Sequence, residues 1–478
     1  MEKLIPGTSS PDDILAARVT LAKMYMDTNN VAAAEPLVSD ILRADSRNAS
    51  GLSLRASIHM VRNQIDDAIT DLRSALNDQP QSPELLASLG LAYERSGSTE
   101  LADKAFLDAT RASKFAATFG LNYVEFLRRR GLAPQADTIL EDLANRNPNS
   151  VAVLSALAKV KLAHQDWVGA HAIADSIRRL DEKSAVAELI NGAAFGGENK
   201  LNDSLAALQS AYDLNPSAVQ PMAALVSVYL QSHQTDKAEA FLQSVLKANP
   251  GNSEALVLLG AIQLTKNKPD EATKMFETVI KQQPKSPVGY RALADLYIRQ
   301  RKIDEAVKVI QAGLQEQPKS VDLRLSLAGL MEAKGEYEPA IAEYETILGD
   351  QPASMIVANN LASLLADHRA DKASLEKANS LAVLLANSQV PQFNDTVGWI
   401  NYRRGDYKAA ISLLESAVAK LPNFPLVHYH LGMAYLAIAQ NEKASDQFKK
   451  VRELAPYDAE LKAKIDAALK SRSGKEGG

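Results

Sequence analysis

The chain has 478 residues, 46% of them apolar but only 5% aromatic, with 53 basic and 58 acidic side chains and no cysteine. Lack of cysteine excludes disulfides, thiolate metal sites and cysteine nucleophiles, and a net charge of −5 gives no general attraction for nucleic acid or anionic membranes. No apolar run approaches the roughly 18 residues that suggest a membrane span. The start, MEKLIPGTSSP, lacks the apolar stretch and small-residue cleavage site of a secretory signal.

Residues 1–14 read as an N-terminal extension. Within it Ser10, Pro11, Asp12 and Asp13 supply an N-cap, an N1 proline and two charges that suit the start of a helix. From there the chain is ruled by proline. Pro80, Pro148, Pro216, Pro250, Pro284, Pro318 and Pro352 are separated by one or two multiples of 34, and Pro422 and Pro456 continue the step after a two-residue slip. A fixed period of this length marks an array of stacked helical hairpins.

Counted from three residues after each proline position, thirteen units begin at Leu15, Ala49, Pro83, Ala117, Val151, Ala185, Val219, Ser253, Pro287, Val321, Met355, Pro391 and Pro425. Position eight is small in all but Val124 and Val226, and position twenty is alanine in most units, with Ser204 as a near-isostere. Two small residues there let paired helices approach closely. Rings recur at position eleven (Tyr25, Tyr93, Phe195, Tyr229, Tyr297, Tyr435), and bulky groups at position twenty-four include Phe106, Phe276, Tyr344 and Phe448. Both sets read as core. The proline ends the second helix; Ser82, Ser150, Ser286, Ser320, Ser354, Asn252 and Asp458 are placed to cap the helix that follows.

These small, small, ring and proline positions resemble the tetratricopeptide repeat from about Leu15 to Asp458. The resemblance implies an all-α fold: a right-handed α-solenoid superhelix of about thirteen helix-turn-helix units, with a concave groove lined mainly by first helices. Units 1–10 occupy 15–354, and units 11–13 occupy 355–458 with an insertion near His368 to Ser374. Gly192, Gly196 and Gly197 predict that the first helix of unit six frays or stops early, and Pro36 predicts a bend. Residues 459–470 read as a capping helix and 471–478 as a disordered tail.

The sequence holds no phosphate loop, paired-cysteine spacing or nucleophile elbow. His428 and His430 lie two apart on one helix and point in different directions, and no third ligand joins His164 and His171. No metal, no cofactor and no catalysis is expected; nothing outside 1–14 and 471–478 is left over for a catalytic domain. Binding is therefore the expected work, at first-helix positions two, five, nine, twelve and thirteen. The candidates are Asn122, Glu125, Arg128 and Arg129 in unit four, and Arg291, Asp295 and Arg299 in unit nine. Units eleven and twelve add Asn359, Asn360, Asp395, Tyr402 and Arg403. The bland alternative for Arg291–Asp295–Arg299 is local helix stabilisation, worth a few tenths of a kcal/mol per pair.

The segment from Asn359 to Val451, with NNLASLLAD, Asp395, Gly398, Trp399, Tyr402, Gly405, Asp406 and Tyr407, is similar to bacterial tetratricopeptide (lipo)proteins of exopolysaccharide export and exosortase (PEP-CTERM) systems. That resemblance implies a scaffold for protein or peptide partners, periplasmic or outer-membrane-associated, with the leader absent from this chain. A cytoplasmic adaptor or assembly factor and a polysaccharide-guiding protein are the alternatives; only Trp167 and Trp399 could offer indole platforms for sugar.

Overall fold

The computed structural model describes residues 10–476 apart from Asn29, Ala353, Ala370 and Asn387; expectations that fall on residues 1–9 and 477–478 lie outside the described residues. Among the described residues there are twenty-seven α-helices and no strand. A regular repeat pairs a thirteen-residue first helix, such as Pro83–Arg95, with a fourteen-residue second, such as Thr99–Ala112. The opening helix α1 (Pro11–Asp27) starts earlier than the repeat frame. Ser10 and Asp13 form its capping box, each satisfying a backbone N–H of the other.

Serine and asparagine then start most first helices. Ser82, Ser150, Ser286, Ser320 and Asn252 accept from backbone N–H groups as expected, as do Asn48 and Ser184. Asp458 accepts from the N–H of Leu461 at 2.9 Å. Ser354 makes no such bond.

Most first helices end on a second ruler that the prolines do not show. Asn63, Gly97, Gly131, Gln165, Asn199, His233, Asn267, Arg301 and Gly335 all have positive φ, followed after the slip by Gly405 and Ala439. A left-handed residue lets the chain turn back while satisfying the last carbonyls of the helix. Glycine takes this conformation freely; other L-residues take it at a cost. Only four of these positions are glycine, so side-chain identity hides the period.

Within hairpins, positions eight and twenty meet as expected: the Ser204 hydroxyl donates to the carbonyl of Gly192 at 2.7 Å. The tighter contact is with position twenty-four. A Cβ on Gly90, Gly260 or Gly432 would lie 3.0, 2.4 or 2.5 Å from the ring of Phe106, Phe276 or Phe448. Each phenylalanine at position twenty-four thus fills the space its glycine leaves, at interior packing density. Core clusters then run from one hairpin to the next. Tyr290, Ala294, Ala306 and Ile310 of repeat nine pack with Leu323, Leu327 and Leu330 of repeat ten.

Expectations for repeat six, for the insertion and for the C-terminal end are corrected. The first helix of repeat six, Ala185–Gly197, has its full thirteen residues. Its glycines accommodate neighbours: a Cβ on Gly192 would lie 2.5 Å from Leu208, and one on Gly197 would lie 2.3 Å from the Trp167 ring. The insertion in repeat eleven is split. One extra residue lengthens α21 (Met355–His368) to fourteen, and the other lengthens the linker between α22 (Lys372–Leu385) and α23 (Pro391–Arg403). Arg369, the C-cap of α21, has φ −118° and extended backbone. The second helix Val31–Ala44 continues through Pro36. The last helix, α27, runs from Ala459 to Glu476, past residue 470.

The chain divides into two compact modules, Met1–Ala136 with Asp350–Gly478, and Asp137–Gly349. The first is built from two segments distant in sequence, and they meet at a seam. Arg130, the C-cap of α7 (Ala117–Arg129), donates to the carbonyl of Leu384 at 2.7 Å and to that of Ala386. Its own carbonyl accepts from Gln389 N–H at 2.9 Å and from the Ser388 hydroxyl at 3.3 Å. The guanidinium therefore caps the C-terminal end of α22, where free carbonyls and the helix dipole favour a cation. Close approach depends on glycine: a Cβ on Gly131 would stand 2.9 Å from Val390 N, and one on Gly97 2.8 Å from a Val383 methyl. Burial holds the Arg130 pKa below its ordinary value.

Candidate functional site

Cavities open between adjacent first helices, at the positions the repeat pattern points to. In the first module one of about 480 Å³ is lined by Val19, Lys23, Ser53, Ser57 and Glu84. A second of about 420 Å³ is lined by Ala87, Ser88, Leu91, Asn122, Glu125 and Arg129. In the second module, α15 (Ser253–Thr265) and α17 (Pro287–Arg299) enclose about 300 Å³. Position six joins the expected set, as Ser88, Asn122 and Ala292 show.

The candidate residues share these positions but not their fate. Arg291, Asp295 and Arg299 come together on the cavity between α15 and α17, over Val257, Leu264, Phe276 and Leu296. All three are exposed. Among the described residues none forms an ion pair or side-chain hydrogen bond, so the local-stabilisation alternative is not realised here.

In repeat four, Asn122 and Glu125 are exposed beside Arg129. Arg129 is held by both carboxylate oxygens of Glu94 at 2.9 and 2.8 Å. Arg128 is half-buried and does not line that cavity. The residue that sequence reasoning passed over is their neighbour Arg130, 3% exposed, which carries the seam. The run Arg128–Arg129–Arg130 was the available signal, but a run of three does not say which member turns inward.

Asp395, Tyr402 and Arg403, expected to face a partner, are committed to packing among α21, α23 and α25 (Pro425–Ala437). Asp395 is 9% exposed and bonds His430 Nδ1 at 2.9 Å. Tyr402 stacks on Trp399 with centroids 4.7 Å apart, and His430 stacks at 4.2 Å. Burial pushes the Tyr402 hydroxyl up from its ordinary pKa. Arg403 donates to the carbonyl of Ala366, and Trp399 Nε1 donates to Asp367 at 2.5 Å. With two stacked neighbours and 7% exposure, Trp399 offers no platform for a sugar ring. His428 turns away to Gln447 at 2.7 Å and the Pro422 carbonyl at 2.9 Å.

Asn359 and Asn360 line a cavity of about 570 Å³ at the seam, with Arg129, Met355, Ile356, Val390, Gln392 and Phe393. Ile356 is 64% exposed there. The Asn359 amide donates to Asn360 at 3.3 Å, while its own buried oxygen has no partner.

Among the described residues no group of three or more side chains could hold a metal ion, and no helix is long and apolar enough to cross a membrane.

The family model described as Tetratricopeptide repeat matches residues 197–262, 232–296, 263–319, 297–366 and 402–466, and a second, TPR repeat, matches 56–97. Together they take in more than half of the chain. The chain is a tetratricopeptide-repeat protein. No curated protein matches it. Among solved structures, this tetratricopeptide-repeat chain is similar to one in the APC/C hetero-tetramer Cut9–Hcn1 (14% identity, TM-score 0.41, covering 96% of this chain and 97% of that one). It is also similar to yeast Tom70 (15%, 0.38, 90% and 97%) and to a tetratricopeptide repeat protein from Parabacteroides merdae (16%, 0.37, 59% and 98%). At such scores nothing about this protein follows from what those proteins do.

The repeat register explains the tied arginines. Arg95, Arg129, Arg299 and Arg403 all stand at position thirteen of their repeats. Three reach back to the preceding first helix: Arg95 to the Met60 carbonyl at 2.9 Å, Arg129 to Glu94, and Arg403 to Ala366. Arg299 alone of the four does not.

Proposed function

We propose that this protein is a non-enzymatic scaffold that holds protein or peptide partners against its first helices. We further propose that it serves bacterial envelope or exopolysaccharide export or protein sorting, from the periplasm or the outer membrane. The observation that carries the scaffold reading is the series of cavities between successive first helices, lined by exposed side chains of which Arg291, Asp295 and Arg299 make no ion pair or side-chain hydrogen bond. Tetratricopeptide arrays use such extended surfaces for binding. The export assignment rests on the likeness of the Asn359–Val451 segment to proteins of those systems.

A photo-cross-linking residue placed in cells at Ser57 or Ser227, both exposed on first helices, is expected to capture envelope proteins. The same residue at Ser74 or Thr278, exposed on second helices, is expected to capture little. Equal capture from both sets overturns the first-helix reading; exclusively cytosolic products overturn the export assignment and favour a cytoplasmic adaptor.

A further inference from the structure

Repeat nine is the one repeat of thirteen with charge at positions five, nine and thirteen together: Arg291, Asp295 and Arg299. Four residues apart on a helix, they stand about 6 Å from one another along α17, and the two guanidinium stems are about 12 Å apart. The flanking first helices carry no charge at these positions. On α15 they are Val257, Ala261 and Thr265, and on α19 (Val321–Ala333) they are Leu325, Gly329 and Ala333. A Cβ on Gly329 would meet nothing within 4 Å, so space beside the stripe is open. The result is a row of plus, minus and plus, exposed and unpaired, between apolar walls that focus its field.

We infer that this row binds an extended partner segment in which acidic, basic and acidic side chains alternate with apolar ones. This rests on the scaffold reading and names the partner's chemistry. Extended chain rises about 3.3 Å per residue, so alternate side chains stand about 6.6 Å apart on one face. That spacing matches the row on α17. The opposite face of the segment then meets α15, where Val257, Ala261 and Leu264 line the cavity of about 300 Å³. Two carboxylates engage Arg291 and Arg299, a lysine engages Asp295, and apolar side chains enter the cavity. The complementarity that selects this pattern rejects its inverse, since like charges brought together are strongly disfavoured.

The test uses the full chain and two fluorescein-labelled peptides, one with the core Glu-Leu-Lys-Leu-Glu and one with the inverted core Lys-Leu-Glu-Leu-Lys, read by fluorescence anisotropy. The first is expected to bind roughly tenfold tighter, with the preference shrinking at about 0.5 M salt. The triple reversal Arg291→Glu, Asp295→Lys, Arg299→Glu is expected to exchange the preference while circular dichroism and melting stay unchanged, because all three side chains are exposed. Should the triple variant fold poorly, Arg299→Ala alone is expected to lower the preference about threefold. Lys159→Glu, at the exposed position nine of repeat five, is the control and leaves the preference as it was. Binding of neither peptide, equal binding of both, or a preference that survives reversal overturns the inference. First-helix cross-links from Ser57 alongside any of those results leave the scaffold reading standing and remove only this partner.

Discussion

The first helices of repeats nine and twelve look alike in sequence and behave in opposite ways. Both carry charge at positions five and thirteen of a groove-facing helix: Arg291 and Arg299 in one, Asp395 and Arg403 in the other. On α17 the charges stand exposed without partners. On α23 they are absorbed, Asp395 by His430 and Arg403 by the Ala366 carbonyl. The cause lies in the neighbours. The helices flanking α23 present His430, Tyr429 and Asp367, and they close over the Trp399 ring. At positions five, nine and thirteen those flanking α17 present Val257, Ala261 and Thr265 on one side and Leu325, Gly329 and Ala333 on the other, none of them charged. A polar residue at a groove position is thus a binding candidate only when the adjacent repeats leave it unanswered.

The sharpest way to break this contrast is truncation of the ring at the centre of the absorbed cluster. Trp399→Ala is expected to cost about 3–5 kcal/mol, seen as loss of amide protection across α21, α23 and α25. If the change is tolerated like a surface substitution, repeat twelve is no more packed than repeat nine.

Arg130→Met extends the contrast to the seam. It removes the cation that caps α22 and leaves the Leu384 and Ala386 carbonyls without that donor, at about 2–3 kcal/mol. Hydrogen exchange of the Gln389 N–H, which bonds the Arg130 carbonyl, is expected to accelerate. Unaltered exchange there means the two segments of the first module are held by other contacts.

Acid separates tied from untied charge within the second module. Lys266 hydrogen-bonds Asp236 at 2.8 Å and Glu239 at 2.5 Å, and holds both carboxyls below their ordinary pKa. Their contribution is complete above the unfolded carboxyl value, about pH 4, and is lost as pH falls through the lowered folded values. Melting temperature is therefore expected to drop below about pH 4, and Lys266→Met is expected to flatten that drop. An equally steep profile in the variant assigns the acid sensitivity elsewhere.

Smaller effects refine the picture. Ala439 holds φ +64° at the end of α25, so Ala439→Gly is expected to stabilise by about 0.5–1 kcal/mol; destabilisation would show that the methyl group packs. Arg299→Ala is expected to shift stability by no more than about 0.5 kcal/mol, the counterpart of the Trp399 result in the untied repeat.

Much of this was legible from residues. The proline period located the hairpins, and small residues and rings at fixed positions marked their cores. Serine and asparagine marked most caps. Full-length packing in repeat six was not legible, because three glycines read locally as a weak helix while Leu208 and Trp167 occupy the space beside them. The left-handed ruler was also hidden. Glutamine, histidine, arginine and alanine occupy it at Gln165, His233, Arg301 and Ala439, and backbone conformation there is imposed by the packed hairpin.

By itself the sequence determined a period, and a period determines the repeat. Each hairpin repeats the same local chemistry, and its apolar face can be buried only against the next. It also pointed to most of the first-helix positions that line the cavities, since these follow from helical geometry. Tertiary structure alone decided which of those side chains are free. That outcome depends on residues one repeat away, as for Arg129 and Glu94, or more than two hundred and fifty away, as for Arg130 and Ala386. Hydrogen bonds and ion pairs form over a few ångströms, and no spacing along the chain reports which groups will come that close.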